Sequence, residues 1–213
     1  CLLDADAERV FRATRPDVAV IAASTDSHAR LGVAAIRAGA RVLVMEKPLA
    51  ANLPEARRLL AAARERGVPV IVNHERRWYP EYRAARDLIA KGRIGEIRSV
   101  VGRCLSNVSG TLLHDGTHLF DAIRFLTGLE FTSAIGFRGG LVRPIRRISP
   151  PSSRDSRIDG RLGFSNGAAG WIEAGGARRH FAFEITSDGA DGRIEIGNAG
   201  RRLFLAAPSR RYA

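Results

Sequence analysis

The sequence predicts an α/β protein in two parts: a parallel sheet covered by helices, then an α/β region with an open, largely antiparallel sheet. Three observations predict it. Between residues 18 and 72 short apolar runs alternate with helical segments, in the order strand, helix, strand, helix, strand. Right-handed crossovers turn that order into a parallel sheet. From Phe131 onward, short alternating segments are separated by Gly, Asn and Asp, the pattern of antiparallel strands and their turns. The pattern changes near Trp78, so the division is placed after Arg77, giving parts 1–77 and 78–213.

Residues 6–14 read as a short helix with Val10 and Phe11 apolar, and Arg15, Pro16 and Asp17 as a turn. Residues 18–22 are a wholly apolar strand. Ser24, Thr25, Asp26 and Ser27 offer N-caps for a helix reaching about Ala38. Leu31, Ala34, Ala35 and Ile36 form its packing face, and Gly39 stops it. Residues 42–45 read as a strand buried on both faces, as inside a parallel sheet. Asn52 with Glu55 three residues on resembles a capping box, and that helix runs to Arg66 before Gly67. Residues 68–72 are the third strand. A helix over 81–90 stops at Lys91 and Gly92, a strand lies within 94–101, and 107–110 read as loop. A helix over 116–127 ends at Gly128. Short strands follow at 135–137, 161–164, 168–173, 181–185, 193–196 and 203–205, and 143–159, rich in Arg, Ser and Pro, read as an exposed loop.

Composition narrows the function. The 213 residues are 45% hydrophobic and 26% charged, ordinary for a protein with a real core. The formal charge of +12 comes from scattered arginines, with no long basic run and little aromatic interleaving, which argues against a nucleic-acid partner. No apolar stretch reaches the ~18 residues of a membrane span. Cys1 and Cys104 make no disulfide framework and fit a reducing cytoplasm. The chain opens at Cys1 in what reads as the middle of a unit, and the expectation is a piece of a longer chain.

Three spots place polar residues at the ends of elements. Ser24, Thr25, Asp26, Ser27 and His28 follow an apolar strand at a helix N-terminus, where amides favour a polar or anionic ligand; plain helix capping is the alternative. Glu46, Lys47 and Pro48 stand at the carboxyl end of the second strand, the edge where open α/β sheets bind ligands; the alternative is a surface ion pair. Of the 34 basic residues, only Lys47 and Lys91 are lysines. A lysine there suits proton chemistry better than arginine, which stays charged. The third spot is His114, Asp115, Gly116, Thr117 and His118, with Asp121 after it. The two histidines share a helical face if the segment is helical. Proton transfer, a helix start, and a zinc-type HExxH site are the readings, the last weakened by Asp115, by Gly116 and by the lack of a clear third ligand.

Taken in order, these motifs resemble the Gfo/Idh/MocA family (glucose–fructose oxidoreductase and inositol dehydrogenase). The matching stretches are 21–28, Ala38 and Gly39, 42–50, 73–78, 95–97, 110–121, and Asn166 with Gly167, so the resemblance covers about residues 15–197. It implies a truncated Rossmann-type NAD(P) domain, then an α/β domain with an open, largely antiparallel sheet. It implies hydride transfer between NAD or NADP and a hydroxyl-bearing carbon of a sugar, cyclitol or related polyol. By position, Lys47 corresponds to the catalytic lysine and His118 to the acid/base histidine, with His114 or Asp115 helping to shuttle the proton. Ser24, Thr25, His28, Glu46, Lys47, Asn73 and Arg77 would contact the cofactor, and no metal is implied. The Lys47–Pro48 bond is expected to be cis, and self-association through the open sheet follows from the same analogy.

Two departures stand out. The family's aspartate four residues before the histidine is here His114, which leaves the partner of His118 open. No G-x-G-x-x-G follows any strand, and the acidic residue for the cofactor ribose is missing with it. The expectation is that two strands lie upstream, that the chain stops within its second sheet, and that alone it binds cofactor weakly and is inactive. A non-catalytic regulatory or scaffold relative, and a metal-dependent hydrolase using His114 and His118, are the alternatives from other classes.

Overall fold

The helices of the first unit begin and end where their side chains dictate. In the structure, a computed structural model, the described residues are 4–106, 115–138, 158–177, 181–198 and 200–205. They fall into two units, Cys1–His74 and Glu75–Ala213. Helix α1 (Ala7–Thr14) starts at Asp6, whose carboxylate accepts from the amides of Glu8 and Arg9. Strand β1 (Val18–Ile21), helix α2 (Thr25–Arg37), strand β2 (Val42–Met45), helix α3 (Leu53–Arg66) and strand β3 (Val70–Val72) follow. Asn52 caps α3 by accepting from the Glu55 amide, and Gly67 closes it at φ 62°. The three strands are parallel in the order β1-β2-β3, with Ile21 beside Met45 and Met45 beside Val72.

The core of this unit is Ile21, Ile36, Leu43, Met45 and Leu59. Gly32 lets α2 approach α3, since a β-carbon there would stand 2.8 Å from Leu59 Cδ1. Strand β2 is not buried on both faces as its composition suggested. Leu43 and Met45 are fully buried, but Val42 and Val44 are only partly so. Their neighbours in register, Val18, Val20 and Ile71, are exposed. The described helices pack on the other side, against Leu43 and Met45. On α2, Ala34 is only partly covered, and Ala29 and Val33 are buried with Leu31, Ala35 and Ile36.

The second unit opens with a 3₁₀ turn, Glu75–Trp78, and helix α4 (Pro80–Ala90). Strand β4 (Ile97–Ser106), helix α5 (Gly116–Thr127), and strands β5 (Phe131–Arg138), β6 (Ile158–Phe164), β7 (Ala169–Ala177), β8 (Ala182–Gly189), β9 (Gly192–Gly197) and β10 (Gly200–Leu205) complete it. The sheet order is β10-β9-β8-β4-β7-β6-β5. Among the described strands of this sheet only β4 and β7 pair in parallel; the other pairings are antiparallel. Helix α5 lies on one face, where Gly102 would bring a β-carbon to 3.0 Å from Ile123 Cδ1. Phe183, Ile185, Ile194, Leu119, Ile123 and Leu126 fill the core beneath it. On the opposite face Ile135 and Trp171 are about half exposed beside the Arg103–Glu173 ion pair.

Several sequence expectations change here. Several strands of the second unit are longer than their apolar cores suggested, because ladder pairing extends through polar residues such as Ser133 and Ser187, whereas β3 is shorter than expected. Ile158 and Asp159 belong to β6, held by pairing with Ala174 and Glu173, so the expected loop does not reach them. Residues 143–157 and 107–110 lie outside the described residues. The 3₁₀ turn packs against α4 and α5, so Glu75, Arg76 and Arg77 go with the second unit. Among the described residues no helix is long and apolar enough to cross a membrane.

Candidate active-site residues in each unit

Parallel pairing brings three segments of the first unit to one edge. Ser24 and Thr25 follow β1, Glu46 and Lys47 follow β2, and Asn73 follows β3. The backbone continues the register beyond the strands: Glu46 N donates to Ile21 O at 2.9 Å, and Asn73 N to Met45 O at 2.7 Å. Asn73 Nδ2 donates to Glu46 Oε1, so the acid is fixed from the neighbouring strand. Its other oxygen, Oε2, lies 3.3 Å from the Lys47 amide. The Lys47–Pro48 bond is cis, as the resemblance implied. Ser24 is the N-cap of α2 yet makes no side-chain cap bond; its hydroxyl meets that of Ser27 at 3.1 Å.

His28 is only 1% exposed. Its Nδ1 is 2.8 Å from the Pro48 carbonyl oxygen and its Nε2 is 3.0 Å from that of Ala23. Whichever nitrogen carries the proton donates to its carbonyl, and the ring bridges the segment after β1 and the turn that carries Lys47. A buried polar ring satisfied in this way acts as a clamp.

In the second unit the 3₁₀ turn lies against α5. His118 is buried, and its Nδ1 stands 3.3 Å from Glu75 Oε2. The other carboxylate oxygen, Oε1, accepts from Arg76 Nη1 at 2.9 Å. Arg77 forks onto Asp121, Nε to Oδ2 at 2.8 Å and Nη2 to Oδ1 at 2.7 Å. That bidentate pairing raises the Arg77 pKa above its ordinary value, against the opposing effect of its own burial. Asp115 stands at the N-cap of α5 without a side-chain cap bond, and its carbonyl accepts from the His118 amide at 3.2 Å. His114 lies outside the described residues.

Arg76 is anchored on three sides. It bonds Glu75, lies 3.7 Å above the Phe183 ring, and hydrogen-bonds Tyr82. Burial pushes the Tyr82 phenol up to about 12, with Arg76 pulling the other way. In the unfolded chain the same phenol ionises near 10, its ordinary value. Between those two values the unfolded state has released the proton and the folded state has not, so stability falls as pH rises through the window. The loss is ~2–3 kcal/mol in all. A phenolate absorbance titration of the folded protein should show one tyrosine ionising well after the rest; simultaneous ionisation near the ordinary value would refute the assignment.

Ser24, Thr25, Glu46, Lys47 and Asn73 thus follow the strands of the first unit, and in the second Asp115 stands at the N-cap of α5, which carries His118. Arg77 has its fork occupied by Asp121, and His28 has its ring committed to carbonyls. Glu75, Arg76 and Tyr82 carry interactions that sequence reasoning left unassigned. The acid–arginine–arginine–aromatic run at 75–78 was the available signal, but its partners lie far along the chain. Among the described residues no three His, Cys, Asp or Glu side chains gather as a metal site requires.

Among the described residues, a three-stranded parallel unit with polar groups converging on its carboxyl edge is a Rossmann-type α/β arrangement, and a seven-stranded, largely antiparallel sheet follows it in the chain. The chain belongs to the Gfo/Idh/MocA family. Residues 4–74 match the oxidoreductase family model with an NAD-binding Rossmann fold, and 82–195 match the GFO/IDH/MocA C-terminal domain. The chain is 50% identical over 82 residues to 1,5-anhydro-D-fructose reductase of Ensifer adhaerens, covering 38% of this chain and 24% of that protein. It is 28% identical over 193 residues to the NAD(+) scyllo-inositol 2-dehydrogenase of Bacillus subtilis, covering 85% and 55%. An inositol dehydrogenase homologue of Azotobacter vinelandii, solved with NADH and myo-inositol, shares the fold at TM-score 0.80 and 21% identity, over 96% of this chain and 59% of that one. The chain thus spans from about a quarter to little more than half of these proteins.

Proposed function

We propose that this chain belongs to an NAD(P)-dependent oxidoreductase that moves hydride between the nicotinamide and a hydroxyl-bearing carbon of a sugar, cyclitol or related polyol. The observation that carries the reading is Lys47, set at the carboxyl edge of a parallel sheet beside a glutamate held by Asn73, in a chain of this family. The curated relatives act on a sugar derivative and an inositol.

The polar residues of that edge fit the cofactor: Ser24, Thr25, Glu46 and Asn73 offer hydroxyls, an amide and a carboxylate to its nicotinamide half. The nicotinamide, when bound, accepts or gives the hydride. Lys47 donates to the substrate oxygen and stabilises the alkoxide as its proton leaves. His118 takes that proton, and Asp115, or His114, passes it on. His28 serves by holding the Lys47 turn, and Arg77 by tying the 3₁₀ turn to α5.

The test joins the chain behind a glycine-rich βα unit and follows nicotinamide absorbance with a panel of polyols. Reduction of NAD or NADP by at least one of them is expected, while the chain alone binds NADH weakly or not at all. No turnover with any polyol would overturn the activity, and micromolar NADH binding by the chain alone would overturn the need for an added phosphate cradle.

A further inference from the structure

We infer that Glu75 is the positioning residue of His118, fixing which ring nitrogen carries the proton. The inference rests on the acid/base reading of His118. The motif around His118 supplies no carboxylate four residues before it, since that position is His114. A carboxylate arrives instead from the 3₁₀ turn: Glu75 Oε2 lies 3.3 Å from Nδ1 of a histidine that is 8% exposed. In the structure this approach is an ion-pair contact and not a formed hydrogen bond, and it is looser than a charge-assisted bond, as catalytic pairs commonly are before ligand binds. The acid is itself oriented. Arg76 holds its other oxygen at 2.9 Å, and Arg76 is seated on Phe183 and bonded to Tyr82. Glu75 therefore presents Oε2 to the ring. With Nδ1–H donating to that oxygen, the lone pair sits on Nε2, and Nε2 is the atom that takes the proton. The carboxylate also stabilises the imidazolium once it forms.

Ring ¹⁵N spectra of His118 in the chain as it stands test this. In the unsubstituted protein the neutral ring is expected mainly as the Nδ1–H tautomer. Glu75→Ala shifts it towards Nε2–H, the form free imidazole prefers. Glu75→Gln keeps an acceptor but loses the charge, so His118 titrates at lower pH. Identical tautomer and midpoint in all three proteins overturn the inference. If Glu75→Ala does not fold, the Glu75→Gln titration decides alone. These spectra read the pair whether or not the protein turns over, so failure of the pair and failure of the oxidoreductase reading are separable.

Discussion

Lys47→Ala lowers kcat/KM for hydride transfer by ~10²–10⁴-fold in the chain joined to a glycine-rich βα unit. The effect falls on kcat more than on KM, because in the proposed mechanism the lysine's bond to the substrate oxygen strengthens only as the alkoxide develops. The fold is spared: Lys47 lies at the end of β2, past the buried Leu43 and Met45, and the Asn73–Glu46 bond does not use it. Lys47→Arg recovers little, since a planar guanidinium cannot take the place of a compact ammonium. Steady-state rates with matched circular dichroism spectra check this. Unchanged turnover in Lys47→Ala removes the lysine from the mechanism.

What the sequence made legible was local. Asn52, Gly67 and Gly128 announce helix ends through their own chemistry, and the structure puts each at a cap. The apolar runs at 18–22 and 42–45 lead into polar residues, so the carboxyl edge could be placed before any coordinates. What stayed hidden depends on distant partners. Nothing local tells β4 that its neighbours are β7 and β8, since those pairings join residues some seventy to ninety positions apart. The same holds at the site. The resemblance offers Arg77 as a cofactor contact and gives Glu75 no role, but their partners, Asp121 and His118, are more than forty positions away. His28 reads as a ligand residue at a helix N-terminus. Only the fold of the turn at Pro48 shows its ring facing carbonyl oxygens. Exposure of Val20 and Val44 was hidden too, because composition says which residues could be buried and not on which side the helices pack.

Phe183→Ala destabilises the second unit by ~3–5 kcal/mol, the cost of emptying a fully buried phenylalanine site. Strand β8 places this ring in the same buried cluster as Ile185, Leu119, Ile123 and Leu126, a core packed too closely for a deletion to go unfelt. Its other role is electrostatic. The Arg76 guanidinium lies 3.7 Å from the ring centroid, so removing the ring loosens the arginine that orients Glu75. Phe183→Leu separates the two effects. It keeps most of the apolar volume and costs ~1–2 kcal/mol, yet removes the π-face altogether. Amide exchange at β8 and β9 reads the stability of this unit without assuming one transition for the whole chain. If the leucine variant keeps near-native protection while its His118 tautomer shifts, Phe183 acts on the histidine through Arg76 and Glu75. If protection is unchanged in the alanine variant, the ring is not the core element that its burial indicates.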